Sequence, residues 1–248
     1  MADRPILFSA PMVCAILREI AAPGTGKTQT RRLLKLPTKG IYEHPKMGGW
    51  AACTVGGKGC YLDPDMTIPA PERACIWHQT TGTTILPPYD PGDRLWVRET
   101  WAAGACANGL APSCLHPAFW LRDNGGLWYA ANEAEPVHPV TPKGPNRPGI
   151  HMPRWASRLT LHVTDVRVQR LQEISEADAL AEGVECDSDG WRDYQFPATQ
   201  CCHRAKISFA TLWDSLNAER APWARNPWVI AVTFRPALGN IDSDEGRA

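Results

Sequence analysis

The chain has 248 residues, 26 basic and 26 acidic side chains, and a hydrophobic fraction of 44%. A net charge of zero excludes a protein that coats polyanions through a field spread over its whole surface, and the composition excludes extensive disorder and fibrous classes. No stretch approaches the roughly 18 uninterrupted apolar residues that a membrane span needs; the best candidate, 6–17, is broken by Ser9 and Pro11. The N-terminus lacks a basic region followed by an apolar core and a small-residue cleavage site. The expectation is a soluble, cytoplasmic chain with no membrane partner. Nine cysteines form an odd, irregularly spaced set in a chain too long to need staples, so reduced thiols are expected. Eleven Trp against five Tyr and five Phe suggest satellite cores or ring platforms for a planar ligand.

In chain order, 5–8 is a short apolar run with strand character, followed by Ser9 as a helix cap and Pro11 early in the helix. Val13, Ile16, Leu17 and Ile20 repeat with helical spacing, and Pro23-Gly24 ends the helix. A polar, basic loop occupies 25–35. Residues 37–90 are rich in Pro, Gly, Cys and Thr without a period and read as a long irregular insertion. After the turn Pro91-Gly92-Asp93, residues 94–101 alternate as a strand. Residues 102–150 form a second loop-like insertion, apart from a short strand at 127–130. The clearest alternating strand is 158–168. Ser175 with Asp178 resembles a capping box, 177–182 has helical composition, and Gly183 stops it. Phe209, Leu212, Trp213 and Leu216 give a second amphipathic helix, 228–234 a last strand, and 237–248 a flexible polar tail. The mixture predicts an α+β fold, a small closed or half-closed sheet with helices at its ends.

Residues 21–28 end in Gly-Lys-Thr and mimic a phosphate-binding loop. Position 21 is Ala where such a loop needs Gly, an amphipathic helix precedes the segment in place of a buried strand, and Pro37 blocks the long helix that should come next. No later apolar strand ends in an Asp suited to magnesium.

Lys27, Thr30 and Arg32 instead reproduce a Lys-x-x-Thr-x-Arg pattern. This resembles the core of the ASCH domain, a PUA-like small β-barrel family linked to RNA and modified nucleosides. The segments 91–97, 159–176 and 226–230 are similar to that family's later strands and helix, in its order, and cover about half of the chain. One departure is Thr25 where the family usually has Gly, with Gly24 and Gly26 flanking it. The chain as a whole is similar to ASCH proteins encoded by tailed phages and prophages, which implies the host-cell cytoplasm. The resemblance implies one ASCH/PUA-like domain over 4–236 with insertions at about 37–90 and 102–150. It also implies the chemistry of a bacterial ASCH branch that removes the acyl group from N4-acetylcytidine with a Lys, a Thr and a Glu. These fall on Lys27, Thr30 and Glu182.

The chemical logic of that trio is coherent. A Thr hydroxyl becomes a nucleophile when a base takes its proton, and neighbouring cations such as Arg31 and Arg32 favour a neutral Lys. Glu182, at the end of a helix, suits a proton donor to the leaving amine. By segment, the neutral total divides into blocks. Residues 1–47 hold eight Lys or Arg against three Asp or Glu, residues 143–170 hold six against one, and 171–190 hold seven acids and no base. In the second block, Trp155 between Arg154 and Arg158 suits a base stacked on the ring with arginines on phosphate. The substrate contacts expected are thus Arg31, Arg32, Arg154, Trp155 and Arg158, and the partner a nucleoside or single-stranded nucleic acid. Competing expectations are a non-catalytic module for RNA or modified DNA and, third, a ribonuclease. No cofactor is expected; a structural zinc on Cys53, Cys60, Cys75 and His78 is the leading metal candidate, ahead of Cys106, Cys114 and His116 or Cys201, Cys202 and His203. His44, His138 and His162 have no partner evident in the sequence.

Overall fold

A computed structural model describes residues 2–37, 48–117, 126–131, 141–198 and 201–243; His44, His138 and the tail from 244 lie outside them. The architecture is α+β. The described strands close no barrel. The chain divides into two compact units, 1–28 with 92–162 and 234–248, and 29–91 with 163–233.

In the first unit, β1 (Asp3–Leu7) pairs in parallel with β6 (Arg94–Arg98), which pairs antiparallel with the start of β9 (Leu159–Arg170), Leu95 opposite Leu161. Helix α1 (Ala10–Ala21) follows β1, with Ser9 at its N-cap and Pro11 in its first turn, and buries Val13 and Ile16. Residues 102–150 hold more structure than their loop-like composition suggests. Strand β7 (Trp101–Ala103) pairs with β8 (Leu127–Tyr129), and Trp101, Ala107, Leu115, Met152 and Ala156 form a core of their own. The end of β13 (Trp228–Leu238) also belongs to this unit, and the expected fraying at 237 does not occur. Ile241 is fully buried, and the Asn240 side chain donates to the carbonyls of Arg154 and Ser157.

In the second unit, β13 pairs antiparallel with β2 (Gln29–Leu33), Ala231 opposite Arg31. The sequence suggests a basic loop here; the backbone is a strand because its polar residues find buried partners. Strands β3 (Trp50–Val55), β4 (Arg73–His78) and β5 (Thr84–Ile85) make a three-stranded sheet within the segment read as irregular. Cys53 lies directly opposite Cys75 in it, and the two form a disulfide. This corrects the expectation of reduced thiols for this pair alone, the other seven cysteines being free, and removes both sulfurs from a zinc set. Among the described residues no group of three His, Cys, Asp or Glu side chains is arranged to hold a metal. Short helix α2 (Glu176–Ala181) and α3 (Ala205–Asn217) complete the unit, with a small sheet of β10 (Cys186–Asp187), β11 (Gly190–Arg192) and β12 (Cys201–Cys202). No described helix is long and apolar enough to cross a membrane.

Candidate functional site

The phosphate-loop mimic is resolved by Glu19 on α1. Its carboxylate accepts hydrogen bonds from the Gly24 and Gly26 amides at 2.9 Å, so an internal anion occupies the place that a phosphate would take. Gly26 has to be glycine, because a Cβ there would meet the Ala15 carbonyl and the Glu19 amide at 2.3 Å. The Lys27 amide then donates to Ala15 O at 2.9 Å, and the residue is buried at 1% exposure.

Strand β2 carries the next residues. Side chains alternate along a strand, so Gln29 and Arg31 project from one face and Thr30 and Arg32 from the other. Arg31 is fully enclosed. It donates to Glu182 Oε1 at 3.0 Å, Asp178 Oδ2 at 3.1 Å and Gln29 Oε1 at 2.6 Å, and its guanidinium lies 5.7 Å from the Phe209 ring centre. Arg31 is therefore an internal brace, a correction to its expected role as a substrate contact: its guanidinium is committed to Glu182, Asp178 and Gln29. Thr30 is buried at 1% exposure, and Arg32 is half-buried. Burial draws the Arg32 pKa down, and the charges of Tyr89 and Glu182 oppose that shift.

Helix α2 delivers the two carboxylates. The Ser175 hydroxyl caps it by accepting from the Asp178 amide at 3.0 Å. Only this half of the expected capping box forms, because the Asp178 carboxylate turns to Arg31, Arg167 and Gln29. Burial alone would raise the Asp178 pKa, yet the hydrogen bonds of Arg167 and Gln29 with the charges of Arg167 and Arg31 hold it at about 2. Glu182 is the C-cap, and Gly183 follows with φ of +81°, a left-handed turn that favours glycine. The helix therefore stops where Glu182 meets Arg31.

The second basic block meets a different fate within the first unit. Arg158 pairs with Glu99 through two hydrogen bonds, 2.9 and 3.0 Å, and stacks 4.0 Å from the Tyr129 ring centre, while Tyr129 donates to Ala156 O. Arg154 bridges Asp3 and Asp242, at 2.6 Å each. Trp155 packs half-buried against the Trp101 and Met152 core. These three do not form the open aromatic and cationic platform that the sequence suggests, because acids distant in sequence neutralise the arginines and the ring completes a core.

Glu99 has a signal in the sequence pattern. Leu95, Val97, Glu99 and Trp101 are the alternate positions of one run, and all are at most 1% exposed. Desolvation raises the Glu99 pKa, and Arg158 only partly offsets it. His162, on β9, has its pKa lowered first by burial and then by Arg235 and Arg94.

The structure thus brings Arg31, Glu182, Asp178 and Gln29 together, with Thr30 and Arg32 on the same strand. No protein-family model, curated protein or solved structure matches the chain.

Proposed function

We propose that the protein binds a modified nucleobase or nucleoside and removes the acyl group from N4-acylated cytidine, on an ASCH-like variant of the PUA-like fold. The observation that carries this reading is the placement of Glu182 against β2. Arg31 holds it at 3.0 Å, and its charge also reaches Arg32, which shares a strand face with Thr30. A buried hydroxyl, a clamped carboxylate and a cation within one strand and one helix end are the elements that acyl transfer uses.

In this reading the Thr30 hydroxyl attacks the acyl carbon and gives up its proton to a base, the role that the Lys-x-x-Thr-x-Arg resemblance implies for Lys27. The carbon–nitrogen bond breaks as the proton taken from Thr30 is relayed through the Glu182 carboxylate to the exocyclic nitrogen. Water then hydrolyses the Thr30 ester, releasing the carboxylate and restoring the hydroxyl. Arg32 contacts the substrate; Arg31 positions Glu182. The role of Lys27 rests on the resemblance of the Lys-x-x-Thr-x-Arg pattern. A binding module for phosphate backbones is less well supported, since Arg154 and Arg158 are committed to carboxylates. Incubation with a panel of N4-acylated and other modified nucleosides tests the proposal. Turnover confined to acylated cytidine, abolished by Lys27→Ala and by Thr30→Ala with the fold retained, is expected. Salt-dependent oligonucleotide binding without any turnover rejects it in favour of the module.

A further inference from the structure

The second unit contains a pocket of about 380 Å3, lined by Arg204, Lys206, Ile207, Ala210 and Trp223. Its volume falls in the range of about 300–1,000 Å3 usual for small-molecule sites. The walls combine one indole, two aliphatic side chains and two cations. Trp223 is fixed before any ligand arrives. Its amide donates to Asp214 Oδ1 at 2.6 Å, its carbonyl accepts from Gln172 Nε2 at 2.9 Å, and its ring meets Phe209 edge-on at 6.2 Å. A pre-set ring lowers the ordering cost of stacking a planar group on it.

The cations are similarly positioned. Lys206 Nζ donates to Gln172 O at 2.7 Å, and Arg204 Nε lies 2.8 Å from Glu176 Oε1. The Arg204 side chain is 57% exposed, and its two terminal nitrogens make no hydrogen bond among the described residues. A planar fork of unused donors beside an aromatic wall matches a phosphate attached to a flat ring. We infer that this pocket binds a planar aromatic monophosphate of the nucleoside monophosphate class, at a site separate from Thr30 and Glu182. The ring stacks on Trp223 between Ile207 and Ala210, and the phosphate meets Arg204 and Lys206.

Calorimetric titration of the full chain with adenosine 5′-monophosphate, adenosine and inorganic phosphate at low salt tests the inference. The monophosphate is expected to bind at least about tenfold more tightly than either fragment, because ring and charge both contribute. Trp223→Leu and Arg204→Gln each weaken it about fivefold or more, as loss of one stack or one charged fork does. Thr30→Ala leaves the affinity unchanged. Absence of binding at millimolar monophosphate, equal binding of phosphate alone, or an affinity unaltered in Arg204→Gln overturns the inference. Should Thr30→Ala, and not Arg204→Gln, remove the heat, the ligand sits in the proposed catalytic site and this pocket is not the receptor. Arg204 is exposed enough for its replacement to leave folding intact, so the result stands even if Trp223→Leu is unstable.

Discussion

Asp178, half-buried, and Glu99, fully buried, both face an arginine, and their proton affinities shift in opposite directions. Asp178 receives Arg31, Arg167 and Gln29 together, and this outweighs its burial, leaving its pKa at about 2. Glu99 receives Arg158 alone, and desolvation prevails, so its pKa rises. Deeper burial and a single partner raise Glu99, whereas shallower burial and several donors lower Asp178, so the presence of an ion pair alone does not set the sign. The centre around Arg31 thus keeps the Asp178 carboxylate charged. The centre around Arg158 holds a carboxylate closer to neutrality and reads as architecture.

The largest effect expected is from Arg31→Met, which strands Glu182 and Asp178 without their shared cation. It should cost about 3–5 kcal/mol of unfolding free energy by urea titration at neutral pH. A loss below about 1 kcal/mol would show that Arg31 is not the brace. Arg158→Met should cost about 3 kcal/mol near neutrality, at the low end of the same range, since Arg158 retains some exposure. That cost should shrink in acid, where Glu99 takes up a proton, and a cost independent of pH would contradict the contrast.

The two carboxylates should also give opposite pH dependences. Asp178 binds its proton less tightly folded than at its ordinary value of 3.8, so its stabilisation is complete above that pH and is lost as pH falls toward about 2. Asp178→Asn should flatten this acid limb. Glu99 binds its proton more tightly folded than at 4.5, so its contribution is fullest at low pH and declines as pH rises from 4.5 through the folded value. Glu99→Gln should remove that decline, and melting midpoints across pH 2 to 7 compare the two variants directly. The smallest effect expected is from Arg154→Ala. Its partners Asp3 and Asp242 are 24% and 59% exposed, so the change should stay within about 1 kcal/mol.

Elements whose apolar residues keep a period were legible in the chain. The alternation of 158–168 becomes β9, and the spacing of Val13, Ile16 and Ile20 becomes α1. Strand β2 was not legible, because Gln29, Thr30 and Arg31 resemble a solvated segment. Their burial depends on Asp178 and Glu182, some 150 residues later, and no local pattern announces such partners. The same reason explains Arg154 and Arg158, whose charges look available until Asp3, Glu99 and Asp242 are placed beside them. The Cys53–Cys75 pair was hidden because register, not spacing, sets the two residues opposite each other. Glu182 at a helix end was readable from Ser175 and Gly183, the cap and the stop that bound α2.

In the proposed function, Glu182, held by Arg31 beside the strand that carries Thr30, serves an acyl-removing reaction. The direct measurement is the stoichiometric release of acetate and cytidine from N4-acetylcytidine by the unmodified chain and by Glu182→Gln. Equimolar release by the unmodified chain is expected, with its loss, by about a hundredfold or more, in a Glu182→Gln protein that still folds. No acetate from the unmodified chain, or equal rates in both, would contradict it.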